Sequence, residues 1–155
     1  MTVASDRPAE VDILPQVQSL IVASGADFRV GGAEAFYAPG ADFVAVPPPG
    51  AFREPIDWHR TALHELGHWT GHRSRLDRDQ RGAFGSADYA REELVAEMAS
   101  AFACASLSIQ PTVRHADYIG SWLAVLREDE KAIFRAASAA SKAADHLLAF
   151  APEVA

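Results

Sequence analysis

The spacing of apolar residues predicts one amphipathic helix near the start of the chain and three short strands after it. Apolar side chains recur every three or four positions up to Ser24-Gly25, where a glycine favours the end of a helix. Runs that suit strands follow, separated by Gly31-Gly32 and by Pro39-Gly40. Such tight turns indicate that neighbouring strands run antiparallel in a small sheet. The predicted strands cover residues 27–30, 34–37 and 42–46.

Helical spacing dominates the rest of the chain. A helix is predicted from near Pro55 to Gly71, and a second, longer helix from 88 to 107 with Asp88 as its cap. Between them, residues 72–87 are charged and turn-rich, which indicates a solvated connection or a lid rather than a set of substrate-binding arginines. Further amphipathic helices follow, and the last of them is rich in alanine.

The order of these elements and the length of the chain predict its fold class. A run of strands followed by a run of helices is typical of an α+β fold. A chain of 155 residues has the length of a single domain, so we predict one domain over residues 1–155 with 1–9 as a disordered lead-in. The lone Cys104 lies among alanine and phenylalanine in a helical stretch, and we predict a core residue rather than a nucleophile.

The charge balance argues against a general nucleic-acid surface. The chain has 14 Lys and Arg against 21 Asp and Glu, a net charge of −7. Affinity for nucleic acid comes largely from cations that neutralise phosphates, so any DNA contact is expected to be local. The sequence shows neither the apolar core of a signal peptide nor a run of membrane-spanning length, and we expect a cytoplasmic protein without membrane contact.

Residues 64–68 read His-Glu-Leu-Gly-His, which is the pattern H-E-x-x-H. On a helix, His64 and His68 lie on one face and can offer an imidazole nitrogen to the same zinc ion. Zinc takes a third protein ligand and, in a catalytic site, leaves its fourth position to water. Glu65 is then the expected general base. The competing interpretation is a pair of surface histidines on an ordinary helix.

The helix predicted over 88–107 offers acids for the third ligand. Glu93 and Glu97 are four residues apart and share a face, whereas Glu92 points to another side and is expected in solvent. We favour Glu93 as the ligand. Glu97 is then expected either to orient a histidine through its second ring nitrogen or to be the alternative ligand.

A third histidine, His72, follows His68 at the same spacing and is a rival ligand. Because Gly71 is expected to end the helix, we place His72 in a loop near the cleft instead. The related metzincin pattern requires a histidine where this chain has Ser74, so the metzincins are disfavoured.

Several motifs accompany the histidine pair, and they occur together in one known group of proteins. They are AFYAP at 35–39, HELGHWTGH at 64–72, RLDR at 75–78, YAREELVAE at 89–97 and YIGSW at 118–122. In these stretches the chain resembles the zincin-like metallopeptidase domain at the C-terminus of ArdC-type antirestriction proteins. The resemblance covers roughly residues 15–150. It implies a zincin-like fold, with a small antiparallel sheet before a helical bundle that carries H-E-x-x-H, and a zinc site.

ArdC-type proteins also carry an N-terminal domain that binds single-stranded DNA. We expect this chain to have no residues left for such a domain, so neither DNA binding nor antirestriction follows from the resemblance.

The motif and the resemblance together predict a zinc-dependent metallopeptidase. A zinc-activated water would attack a peptide bond of a peptide or protein substrate, with Glu65 as the general base. His72, Tyr37 and Tyr118 are candidates for stabilising the oxyanion by residue type alone. Strand 42–46 is a candidate for binding an extended substrate along a sheet edge.

Two other functions stay open. One is an acidic, zinc-stabilised binding or antirestriction module without catalysis, and the other is a hydrolase of small molecules that uses the same ion. The presence of Glu65 disfavours the first, because a structural site needs no base beside its ligand.

Overall fold

The first helix and the sheet occupy the positions that the apolar pattern predicts. The computed structural model describes residues 13–110 and 116–152, with the side chains of 116–121 outside the description. Helix α1 spans Pro15–Ser24, and strands β1, β2 and β3 span Asp27–Val30, Phe36–Ala38 and Phe43–Val46. A proline in the first turn of α1 suits a helix start, since its missing N–H has no partner there in any helix.

The sheet is mixed, with the strand order β1-β3-β2, so the predicted antiparallel sheet is wrong for β1. Strands β2 and β3 pair antiparallel as predicted, whereas β1 pairs parallel with β3. Strand β3 carries Val44 and Val46, both fully buried, and this apolar strand lies in the centre of the sheet. The mostly exposed β1 lies at one edge, and its pairing continues at Gly31, whose N–H donates to the carbonyl of Val46 at 2.9 Å.

The central position of β3 overturns the expectation that strand 42–46 offers an edge to substrate. Both sides of β3 are already hydrogen-bonded, so in the sheet of the described residues the open edges belong to β1 and β2.

After a short 3₁₀ turn at Pro49–Ala51, the remaining elements are helices. They are α2 at Pro55–Trp69, α3 at Ala87–Ser106, α4 at Ala116–Glu128 and α5 at Ala132–Leu148. Helix α2 begins at the predicted proline. The cap of α3 is Ser86 instead of Asp88, because the Ser86 hydroxyl accepts the N–H of Tyr89 at 3.1 Å. Within the described residues no helix is both long and apolar enough to cross a membrane.

Helix α2 lies at the centre of the core. Its apolar face is fully buried at Trp58, Leu63 and Leu66, and the Trp58 indole N–H donates to the carbonyl of Pro47 at 3.0 Å. The helix packs most extensively against α3, and it also contacts β3, β2 and α5. Cys104 is buried in the same core as predicted, and burial raises the pKa of its thiol.

Helices α2 and α3 cross closely at Gly67. A Cβ at this position would lie 3.4 Å from the backbone of Ala96, which is already close van der Waals contact. Small residues at the crossing therefore bring the two helices near enough for side chains on both to meet around one point.

Substitution at Gly67 tests this crossing. We expect Gly67→Val to lower the free energy of unfolding by about 1–3 kcal/mol through overpacking against Ala96. Gly67→Ala should be far milder, since its added Cβ meets ordinary contact and alanine favours the helix. Urea unfolding in the presence of a chelator measures both. The control is Gly40→Val, where a Cβ meets nothing within 4 Å; an equal loss there would contradict the explanation.

Candidate metal centre

The two histidines of α2 converge on one carboxylate of α3. The Nε2 atom of His64 lies 3.2 Å from Oε2 of Glu93, and the Nε2 atom of His68 lies 3.0 Å from Oε1 of the same residue. All three residues are buried, and one ligand atom from each lies within 4.8 Å of the others. The four-residue spacing on α2 and the close crossing with α3 thus bring two nitrogens and one carboxylate together, as the sequence predicts.

The remaining nitrogen of each imidazole faces a second carboxylate. Nδ1 of His64 lies 3.2 Å from Oε1 of Glu97, and Nδ1 of His68 lies 3.2 Å from Oε1 of Glu92. This arrangement turns both Nε2 atoms towards Glu93, because a carboxylate on Nδ1 favours the tautomer with its proton there. Glu97 therefore lies where an orienting residue is expected.

The expectation that Glu92 lies in solvent is wrong. Its side chain is only 11% exposed and accepts hydrogen bonds from Arg78 and Gln80 as well as from His68. Helical spacing correctly separates Glu92 from the face of Glu93. It does not reveal that the loop before α3 folds back over Glu92 and covers it.

Proton binding at this centre is strongly shifted. Burial lowers the pKa of His64, but the carboxylates of Glu93 and Glu97 outweigh burial and raise it to about 9. The same balance, with Glu92 and Glu93, raises the pKa of His68 to about 10. Burial would raise the pKa of Glu93, but the two imidazoles hold it well below its usual range. Without a metal, protons therefore occupy the space between the imidazoles and the carboxylate.

Glu65 lies beside the two histidines in the same cleft. Its side chain is buried, and the cleft has a volume of about 430 Å³. One wall comes from β2 and the turn after it, and the opposite wall comes from the loop before α3 and the first turns of α3. The lining side chains beyond the centre itself include Ala35, Phe36, Tyr37, Pro39, Gln80, Asp88 and Tyr89.

The residues predicted as candidates for stabilising the oxyanion differ in where the structure places them. Tyr37 lines the cleft, but its hydroxyl donates to Asp42 at 2.7 Å, and burial together with this bond holds the pKa of Tyr37 well above its usual range. His72 lies in the loop after α2 and lines a neighbouring depression instead, with its Nδ1 2.7 Å from the Ser74 hydroxyl. The side chain of Tyr118 lies outside the described residues.

Tyr89, Gln80 and Asp88 also line the cleft and were not among the predicted site residues. Tyr89 precedes Glu93 by four residues on α3, so helical spacing places it on the same face of the helix as Glu93 and Glu97. Gln80 and Asp88 depend on the path of the loop, which has no periodic signal.

The donor set fits a divalent metal ion. Two imidazole nitrogens and one carboxylate oxygen from adjacent helices are the protein ligands of a catalytic zinc site, and a carboxylate on the second nitrogen of each imidazole is the usual support. A helix with H-E-x-x-H and a glutamate on the next helix define a zincin-like protein. The family model of zincin-like metallopeptidases matches residues 15–139, and the chain belongs to this family.

Solved structures support the same fold. The Mn(II)-bound crystal structure of the antirestriction protein ArdC from plasmid R388 superimposes with a TM-score of 0.84 at 38% identity, over 96% of this chain and 57% of that one. The metal-free ArdC structure gives a TM-score of 0.80 at 39% identity, over 93% of this chain and 53% of that one. The resemblance to the ArdC metallopeptidase domain is therefore confirmed.

Curated relatives are longer than this chain. Protein y4eC of Sinorhizobium fredii is 44% identical over 146 residues, which is 89% of this chain and 48% of that protein. DNA primase TraC of Escherichia coli is 48% identical over 137 residues, which is 87% of this chain and 13% of that protein. The chain thus spans about half or less of the length of these relatives.

Metal affinity should depend steeply on pH. Because the pKa values of His64 and His68 are raised, both imidazoles bind protons at neutral pH, and a metal must displace them. Apparent affinity should therefore rise as pH increases from 6 to about 10, and level off only above the pKa of His68, where both imidazoles have lost these protons unaided. Calorimetric titration with zinc in buffers of different ionisation enthalpy measures the proton release. No proton release at pH 7 would contradict this account.

Glu93 and Glu97 of α3 should differ in their effect on metal binding. Glu93→Gln removes the carboxylate that faces both Nε2 atoms, whereas Glu97→Gln removes only the partner of one Nδ1. We expect a larger loss of zinc affinity for Glu93→Gln than for Glu97→Gln, for which about 10–100-fold is typical. Competition with a chelator ranks the variants, and the reverse order would make Glu97 the ligand.

Proposed function

We propose that the chain is a zinc-dependent peptidase that hydrolyses peptide bonds with Glu65 as the general base. The observation that supports the proposal is the position of Glu65, buried in the cleft beside His64, His68 and Glu93, a group that could hold a metal ion. A site that only stabilised the fold would need no such carboxylate and no open cleft.

Zinc is the metal that this donor set favours. Two imidazoles with one carboxylate are typical zinc ligands, whereas manganese prefers sites richer in oxygen. Zinc also binds more strongly than manganese to a given set of nitrogen and oxygen ligands. The manganese in the ArdC crystal structure is consistent with a site that accepts several divalent ions.

In the proposed reaction, a divalent metal held by His64, His68 and Glu93 supplies Lewis-acid activation of water and of the substrate carbonyl. Glu65 accepts the proton of the attacking water on its carboxylate and returns it to the leaving nitrogen. Glu92 and Glu97 hold the two imidazoles in place during this transfer. Burial of these groups keeps bulk water away from the carboxylate while it carries the proton.

Strand β2 gives the substrate a place to bind. Within the described sheet it pairs with β3 on one side only, and its residues Phe36 and Tyr37 line the cleft together with Ala35, which precedes the strand. An extended peptide can add to this edge through backbone hydrogen bonds. The exposed ring of Phe36 would then contact a substrate side chain.

Substitution of the base separates catalysis from stability. We expect Glu65→Gln to bind zinc and to unfold like the wild type, yet to lose about 10²–10⁴-fold in cleavage of an unfolded, fluorescently labelled protein. The matched control is Glu34→Gln, an exposed glutamate just before β2, which should retain full activity. If the wild type loaded with zinc cleaves neither unfolded proteins nor a mixed peptide library, the peptidase proposal is wrong.

A second candidate function is an antirestriction module that needs the metal but no cleavage. The structural match to the antirestriction protein ArdC favours this alternative. Protection of unmodified DNA in cells that carry a restriction enzyme distinguishes the two. Glu65→Gln should abolish protection if cleavage is the mechanism and leave it intact if binding suffices.

A further inference from the structure

We infer that Arg78 is a positioning residue for the metal centre. It fixes the carboxylate of Glu92, and through Glu92 it fixes the ring of His68. The inference rests on the proposed metal site but not on peptidase activity.

Arg78 forms hydrogen bonds with Glu92 on α3 and with residues at the end of α2. Its Nε and Nη2 atoms donate to the two oxygens of Glu92 at 3.0 and 2.9 Å, which is a bidentate pair. Nη2 also donates to the carbonyl of Gly67 at 2.7 Å, and Nη1 donates to the Thr70 hydroxyl at 2.9 Å. The guanidinium of Arg78 thus joins Glu92 on α3 to the C-terminal turn of α2.

The Glu92 carboxylate that Arg78 binds also faces His68. Oε1 of Glu92 lies 3.2 Å from Nδ1 of His68, so it accepts the Nδ1 proton and leaves Nε2 free for a metal. Gln80 reinforces this placement, since its amide donates to Oε1 of Glu92 at 2.9 Å and to the carbonyl of His68 at 2.6 Å. Glu92 therefore receives donors from the loop and from α2, and its oxygens have little freedom to move.

The local sequence keeps room for this arrangement. A Cβ at Gly71 would lie 2.6 Å from the Gln80 amide nitrogen and 2.8 Å from Nη2 of Arg78, closer than real Cβ contacts. The absence of a side chain at Gly71 thus lets both donors reach over the end of α2.

Lysine cannot replace Arg78 in this role. The guanidinium offers several N–H groups in a fixed plane, which matches a carboxylate and two further acceptors at once. An ammonium would keep the charge but lose the bidentate geometry.

Arg75 is a close internal control. It lies on the same loop with the same 13% side-chain exposure, pairs with Asp42, and donates through Nε to the carbonyl of Trp69 at 2.7 Å. None of its observed contacts reaches a histidine of the centre. Loss of Arg75 removes an equally buried arginine and its ion pair with the more exposed Asp42, without touching Glu92.

The test measures zinc binding by the full chain and the protonation of His68. By chelator competition, Arg78→Gln should bind zinc about 10–100-fold more weakly than the wild type, whereas Arg75→Gln should stay within about twofold. Arg78→Lys should fall between the wild type and Arg78→Gln. In ¹⁵N NMR of the zinc-loaded protein, His68 should carry its proton on Nδ1 in the wild type and in Arg75→Gln, and this signal should broaden or shift in Arg78→Gln.

A double-substitution cycle shows whether Arg78 acts through Glu92. Once Glu92→Gln is present, the further change Arg78→Gln should have little added effect on zinc affinity; additive losses would overturn the inferred route.

Equal zinc affinity of Arg78→Gln and the wild type, or an equal loss in Arg75→Gln, would overturn the role of Arg78. If Arg78→Gln does not fold, Arg78→Lys and Glu92→Gln decide by the same comparison. Failure of the wild type to bind zinc would instead overturn the metal centre itself.

Discussion

The close crossing of helices α2 and α3 is the constraint on which the rest of the structure depends. Gly67 brings the backbone of α2 into contact with Ala96 of α3, and at this separation the side chains of His64 and His68 meet Glu93. A bulkier contact would move the helices apart and separate the ligands. The apolar core behind α2, with Trp58, Leu63 and Leu66, fixes the rotation of the helix, so the histidines face α3 rather than solvent.

Four largely buried carboxylates surround the two imidazoles of the centre. Glu65, Glu92, Glu93 and Glu97 all lie within the reach of two imidazoles, and each buried charge needs a partner. In the metal-free state the partners are imidazole protons and the guanidinium of Arg78. A divalent ion would take over part of this role, which explains how one fold accommodates the charges both with and without a metal.

Helical periodicity predicted the parts of the site that lie on one regular element. The pair of histidines, Glu65 and the shared face of Glu93 and Glu97 all follow from spacing, because residues four apart on a helix project the same way. Spacing could not predict Glu92 as a buried residue, since its environment is built by a loop. The tight turns predicted correctly that successive strands alternate in direction, but they did not show that β3 lies between β1 and β2, which makes the β1–β3 pairing parallel. In this sheet the centre is occupied by β3, the strand that carries the fully buried Val44 and Val46.

The histidines, the acids that support them and the arginine that holds one of those acids all lie on one continuous stretch of sequence, from His64 to Glu97. The carboxylates seen within 3.2 Å of these two imidazoles, those of Glu92, Glu93 and Glu97, all lie in this stretch. A single recombination event that moves the stretch with its supporting core would therefore transfer His64, His68 and Glu93 together. Ligands that lie close together in the sequence can be inherited as one unit. This suits a domain with relatives as different in length as an antirestriction protein and a primase.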